Sequence, residues 1–188
     1  MNIVEFAGMP KAGKSTQIEL LETYLKHERG LKIRIVYEGA RICPLEKTDR
    51  FLFNSWSFNN TINRVMEVKN QSFDFVLIDR GVQDHICFTK ALYDAGQITF
   101  QQYEAQLGYF EQFLFLEDEV LIFLIDPEES MRREYKHQSF DGRVMNNNFL
   151  SLLYAEYKKT KAENQKFTAI DCNKPVIVNK EEILNFIL

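Results

Sequence analysis

The chain has 188 residues, 45% of them hydrophobic, with only 8 Gly and 4 Pro, which suits one core of ordinary size and excludes disordered and collagen-like classes. Its 23 Lys and Arg against 27 Asp and Glu leave a net charge of -4, the opposite of the basic footprint of a duplex or RNA binder, so no polymeric nucleic acid partner is expected. Cys43, Cys87 and Cys172 lie far apart without metal-ligand spacing, which points to reduced thiols and a cytoplasmic location, and no apolar run reaches the roughly 18 residues of a membrane span.

Asn2 to Ala7 reads as a short buried strand, closed by Gly8 and followed after Ser15 by a helical pattern of Ile18, Leu21, Tyr24 and Leu25. A second strand is expected over Lys32 to Tyr37, then a long helix with an untidy apolar face from Lys47 to Lys69. Phe73 to Ile78 is a third, buried strand that runs into Asp79-Arg80-Gly81, with helical segments over Val82 to Tyr93 and Thr99 to Leu116. Glu119 to Ile125 forms a fourth strand, stopped by Asp126-Pro127, and Pro127 suits the first turn of a helix over Glu128 to Lys136. A helix over Asn146 to Asn164, a fifth strand over Lys166 to Ile170 and a last helix from Lys180 complete the pattern.

Strands alternating with helices predict an α/β fold, a three-layer α/β/α arrangement with a central five-stranded parallel sheet, because parallel neighbours need long crossovers. Ligands then bind at the strand C-termini, where Gly8, Glu38, Asp79, Asp126 and Asp171 are expected to gather.

Gly8-Met9-Pro10-Lys11-Ala12-Gly13-Lys14-Ser15 fits G-x-x-x-x-G-K-[ST] without a mismatch, and Thr16 follows. It lies between a strand and a helix, the context in which backbone N–H groups cradle phosphates, Lys14 adds a mobile cation and Ser15 offers a hydroxyl to magnesium. Lys11 can point at a phosphate or into solvent. Asp79, at the end of a buried strand, is the candidate second magnesium ligand. A guanine-nucleotide switch would carry N-K-x-D and D-x-x-G, and the Asn-Lys pairs at 173 and 179 lack the Asp.

Ala12-Gly13-Lys14-Ser15-Thr16, Glu38 after the second strand, Asp79-Arg80 after the third and the Arg-rich segment after Asp126-Pro127 together resemble the small P-loop nucleoside and nucleotide kinases, thymidylate kinase and deoxynucleoside kinases above all. The resemblance spans nearly the whole chain and includes Phe149-Leu150 and Tyr157. It implies an ATP-dependent phosphotransferase of residues 1–188 as one domain, with a lid over roughly 132–146. By this resemblance Glu38 takes the proton from the acceptor hydroxyl, and Arg80 orients acceptor and phosphates. Lid cations among Arg132, Arg133, Lys136 and Arg143 close over the phosphoryl group, with Arg132 and Arg143 catalytic and Arg133 on ATP.

The stretch Glu38-Gly39-Ala40-Arg41 departs from both families' patterns, which leaves the acceptor open between a nucleoside and a nucleoside monophosphate. Arg41 and Arg64 can hold an acceptor phosphate. Trp56, Asn59 and Asn60 stand near the region that reads the base in deoxynucleoside kinases, while His27, His85 and His137 read as surface or packing residues. Mg-ATP is the expected donor and a small molecule the expected partner, with a homodimer left open. Kinases of another small hydroxyl compound and a nucleotide-binding regulator remain alternative readings.

Overall fold

The computed structural model describes residues 1–137, 144–164 and 166–188. Five strands, β1 (Asn2–Gly8), β2 (Ile33–Val36), β3 (Phe75–Asp79), β4 (Glu119–Leu124) and β5 (Thr168–Asp171), form one sheet in the order β2-β3-β1-β4-β5. Every pairing is parallel, with Phe6 opposite Asp79 and Gly8 opposite Phe123. The crossovers are α1 (Lys14–His27), α2 (Arg50–Lys69), α3 (Val82–Asp94), α4 (Phe100–Phe110), α5 (Pro127–His137) and α6 (Asn147–Glu163), and α7 (Val176–Ile187) closes the fold.

The three layers follow from strands buried on both faces. Ile35, Phe75 and Leu77 pack into a core with Ile18, Leu21 and Leu25 of α1, Leu153 and Tyr157 of α6 and Ile183 of α7. The intervening Val36, Val76 and Ile78 join a second core with Phe58, Ile62 and Val65 of α2 and Phe110 of α4. Phe58 stacks on Phe110 at 3.9 Å between ring centroids.

Most boundaries shift by three residues or fewer from the pattern, and two helix boundaries shift further. The helix expected over Thr99 to Leu116 ends as α4 at Phe110 and continues as a tighter 3-10 turn, Glu111–Leu116. The last helix begins at Val176 rather than Lys180. Val176, Ile177 and Val178 carry strand propensity and lie exposed, but Asn179, Ile183 and Ile187 on one face of α7 are buried. Lys180 reaches over the Tyr24 ring of α1 at 4.7 Å, so tertiary docking overrides local preference. No helix among the described residues is long and apolar enough to cross a membrane.

Candidate active site

The loop between β1 and α1 is shaped by close backbone approach. Gly8 has φ +134, and a Cβ there would lie 2.3 Å from the carbonyl oxygen of Phe123 on the next strand. Gly13 (φ +91) and Lys11 (φ +59) also adopt left-handed conformations, and Gly13 precedes α1 without any side-chain cap, so the first N–H groups of the helix face the loop uncapped. Ala12 is buried, whereas Thr16 is exposed. Lys14 is 5% exposed and donates to the carbonyls of Gly8 and Met9, each at 2.8 Å. Burial, with Arg80 adding to it, pulls its amine down to about 8.

Asp79 and Ser15 meet beside the loop. Ser15 Oγ donates to Asp79 Oδ2 at 2.8 Å, and the Arg41 guanidinium donates to both, at 2.7 Å to Ser15 Oγ and 2.9 Å to Asp79. Two hard oxygens so close, already in contact with a cation, form a donor set that fits magnesium. Arg41, reserved in the sequence for an acceptor phosphate, is therefore engaged here, and Arg64 borders a separate groove with Arg34 and Glu67.

Arg80 is the centre of the acidic rim. Its Nε lies 3.2 Å from Glu38, and its Nη1 donates to Asp84 at 2.7 Å and to the Gly8 carbonyl at 3.3 Å. The guanidinium also lies 5.1 Å from the centre of the Phe88 ring. Asp84, 1% exposed, accepts further bonds from Gly8 N–H at 2.8 Å and Tyr157 O–H at 2.6 Å. Burial alone would raise the Asp84 carboxyl, but the Arg80 and Lys14 charges and these bonds outweigh it and hold the carboxyl low. Asp84 thus ties the loop, Arg80 and α6 together; the sequence reading names Gly8, Arg80 and Tyr157 of this set but not Asp84 itself. Asp126 and Asp171 are exposed and do not line the cavity, so Glu38 and Asp79 are the strand-end acids at this site.

A cavity of about 300 Å³ opens beside Glu38 and Arg80. Its wall includes Lys11, Asp84, His85, Phe88, Leu92 and Met145, and α2 contributes Arg50, Phe53, Asn54 and Ser57. Those four stand at i, i+3, i+4 and i+7, one face of a helix. Trp56, Asn59 and Asn60 do not line it. Asn59 is exposed and takes a hydrogen bond from Tyr109 O–H at 2.9 Å, and Asn60 packs against the Gly39 turn.

Asn54 is the amide at the cavity. Its Nδ2 donates to Thr89 at 2.9 Å and Gln106 at 3.3 Å, and its Oδ1 faces His85 Nδ1 at 3.0 Å. Gln106 is oriented by donating to the Phe51 carbonyl at 2.8 Å. This chain of donors and acceptors assigns the His85 proton to Nδ1. His85 is buried rather than on the surface, and burial pulls its imidazole down to about 4, so the ring is neutral.

From α5, Ser130 donates to the Pro10 carbonyl at 2.7 Å, and Glu134 pairs with Lys11 at 2.7 Å. Arg133 bridges the Lys11 and Cys172 carbonyls at 3.2 and 2.9 Å. Lys11 is thus a bracing cation, and Arg133 ties the loop to the segment after β5. Arg132 is more exposed and paired with Glu129. Arg143 and the Lys136 side chain lie outside the described residues.

No family model and no curated protein matches this chain. Solved structures do. A deoxyadenosine kinase from M. mycoides, holding the product dCMP and a flexible dCDP, superposes with a TM-score of 0.79 at 18% identity over 97% of each chain. With dATP bound the same comparison gives 0.71 at 18% identity, and with dCTP 0.69 at 20%, again over 97% of each chain. The chain therefore has the P-loop nucleoside kinase-like fold that its phosphate-loop motif suggested.

Proposed function

We propose that the protein transfers the γ-phosphoryl group of Mg-ATP to a hydroxyl of a nucleoside or nucleoside monophosphate. The observation that carries this reading is the meeting of Glu38, Arg80 and the Lys14 loop at one mouth of a cavity with aromatic walls. The triphosphate lies along the loop, where the uncapped start of α1 and Lys14 meet its charge. Ser15 and Asp79 would hold the magnesium ion, which when bound neutralises charge on the β and γ phosphates.

Glu38 accepts the proton of the acceptor hydroxyl as that oxygen attacks, and Arg80 both orients Glu38 and meets the negative charge that develops on the phosphoryl oxygens. Phe53 and Phe88 give the cavity apolar wall beside which a flat ring would fit, with Asn54 and neutral His85 on the same lining. The deoxynucleotides held by the similar deoxyadenosine kinase support an acceptor of this class. Arg132 and Arg133 are the described cations of the lid, and the whole chain acts as one cytoplasmic domain.

The cavity volume lies at the low end for small-ligand sites, and Arg41 points its charge to Ser15 and Asp79, which favours an uncharged nucleoside. Lys47 and Arg50 on the same wall are the observation that favours a monophosphate. Incubating the protein with ATP and a panel of nucleosides, monophosphates and small alcohols while following ADP tests the proposal. A nucleoside or its monophosphate is expected to stimulate ADP formation strongly. Stimulation only by another alcohol, or none at all, refutes it.

A further inference from the structure

Glu5 stands in the middle of β1, three residues before the phosphate loop, on a strand whose other core positions are apolar, and it is fully buried. Its Oε1 accepts from the N–H groups of Gly81 at 2.9 Å and Asp84 at 2.8 Å, and its Oε2 accepts from Gln83 at 2.9 Å. The remaining amide, Val82 N–H, donates to Glu117 Oε1 at 2.6 Å. Two carboxyl groups thus take all four amides that open α3.

The backbone between them leaves no spare room. A Cβ on Gly81 would fall 2.2 Å from Glu117 Oε1 and 2.8 Å from Glu5 Cδ. The preceding residue is Arg80, whose φ of +68 is rare outside glycine. From this turn the guanidinium reaches Glu38, Asp84 and the Gly8 carbonyl.

We propose that Glu5 is a positioning residue for phosphoryl transfer: with Glu117 as its neutral acid partner, it locks the Arg80 turn onto the strand that carries the phosphate loop. The loop and the guanidinium then keep one spacing. Two adjacent buried carboxyls do not both ionise. Glu117 Oε2 is buried without a hydrogen-bond partner among the described residues, so its ionised form would carry an unsatisfied charged oxygen. Burial pushes both carboxyls up, and the Glu5 charge beside Glu117 pushes that one well above the usual range. Asp84, the other acid facing Glu5, acts in the same direction, while the amide bonds oppose it.

The inference rests on the phosphotransferase reading, and a double-mutant cycle separates the two. Glu117→Gln keeps both an acceptor for Val82 and a donor for Glu5, so turnover is expected within about twofold of wild type. Glu5→Gln is expected to lower kcat about tenfold or more with KM for ATP changed less than about threefold, and to cost less than about threefold when Arg80 is already Lys. A fall in melting temperature with kcat intact, or equal losses in both backgrounds, overturns the proposal. Turnover indifferent to Arg80→Lys overturns the functional reading and this inference with it. Should Glu5→Gln not fold, infrared spectroscopy of wild type at neutral pH is decisive: a protonated carboxyl band that vanishes in Glu117→Gln supports the pair, and its absence overturns it.

Discussion

Lys14 provides a test that needs no acceptor. Its ordinary value of 10.5 falls to about 8 in the nucleotide-free protein, because burial removes water from the ammonium group and Arg80 adds like charge. A triphosphate on the loop supplies the missing counter-charge and restores the protonated form. With that value, Lys14 lacks its proton in roughly a tenth of free molecules at pH 7, about half at pH 8 and about nine-tenths at pH 9. Binding therefore takes up about 0.1, 0.5 and 0.9 protons at those pH values, and affinity falls as pH rises through about 8. Between about 8 and 10.5 the unfolded chain holds more protons at Lys14 than the free folded one, so nucleotide-free stability gains from this residue as pH rises across that window. Calorimetry with a non-hydrolysable ATP analogue in buffers of different ionisation heat counts the protons directly. Lys14→Met subtracts the nucleotide's own titration. No uptake at pH 9, or equal uptake in the variant, refutes the placing of this ammonium against phosphate.

Three further substitutions probe the frame around the site. Asn54→Ala strands the buried partners Thr89, Gln106 and His85 and should cost about 2–4 kcal/mol in urea unfolding; an unchanged midpoint contradicts the network. Gly8→Ala forces a side chain to within 2.3 Å of the Phe123 carbonyl at a left-handed φ, and about 2–4 kcal/mol of destabilisation with loss of nucleotide binding is expected. Wild-type binding and melting would show that the loop does not need the close approach. Phe58→Ala removes the ring stacked on Phe110 and should cost about 3–5 kcal/mol, with a loss below about 1 kcal/mol arguing against a tight second core.

The fold was legible because its signals are periodic and local. Strand and helix alternation foretold five parallel strands, and the loop motif fell between β1 and α1 as expected. Helix starts hidden under β-branched residues, as at Val176, were not legible, since docking on α1 decides them. Glu38 was legible as an acid near a strand end, while its role and that of Arg80 came from the resemblance to the P-loop kinases. Asp84 and Glu5 were not legible: an acid inside an amphipathic helix and an acid inside a strand look like ordinary polar positions until parallel pairing sets β1 beside β3. Glu5 still broke the apolar run of β1, a signal that could have found it. The sequence pointed to Asn59 and Asn60, whereas the amide that lines the cavity is Asn54. Asn59 lies on the far side of the helix from the cavity wall, and Asn60, one turn beyond Ser57, packs against the Gly39 turn instead of lining the cavity.

The central claim is that Glu38, held by Arg80, takes a proton from an acceptor hydroxyl facing the phosphate loop. Glu38→Gln tests it most directly, with turnover on the preferred acceptor and the dissociation constant for ATP measured on the same preparation. The account predicts a kcat lowered by about a hundredfold or more with ATP affinity within about threefold of wild type. Equal loss of both, or turnover that survives the substitution, would contradict it.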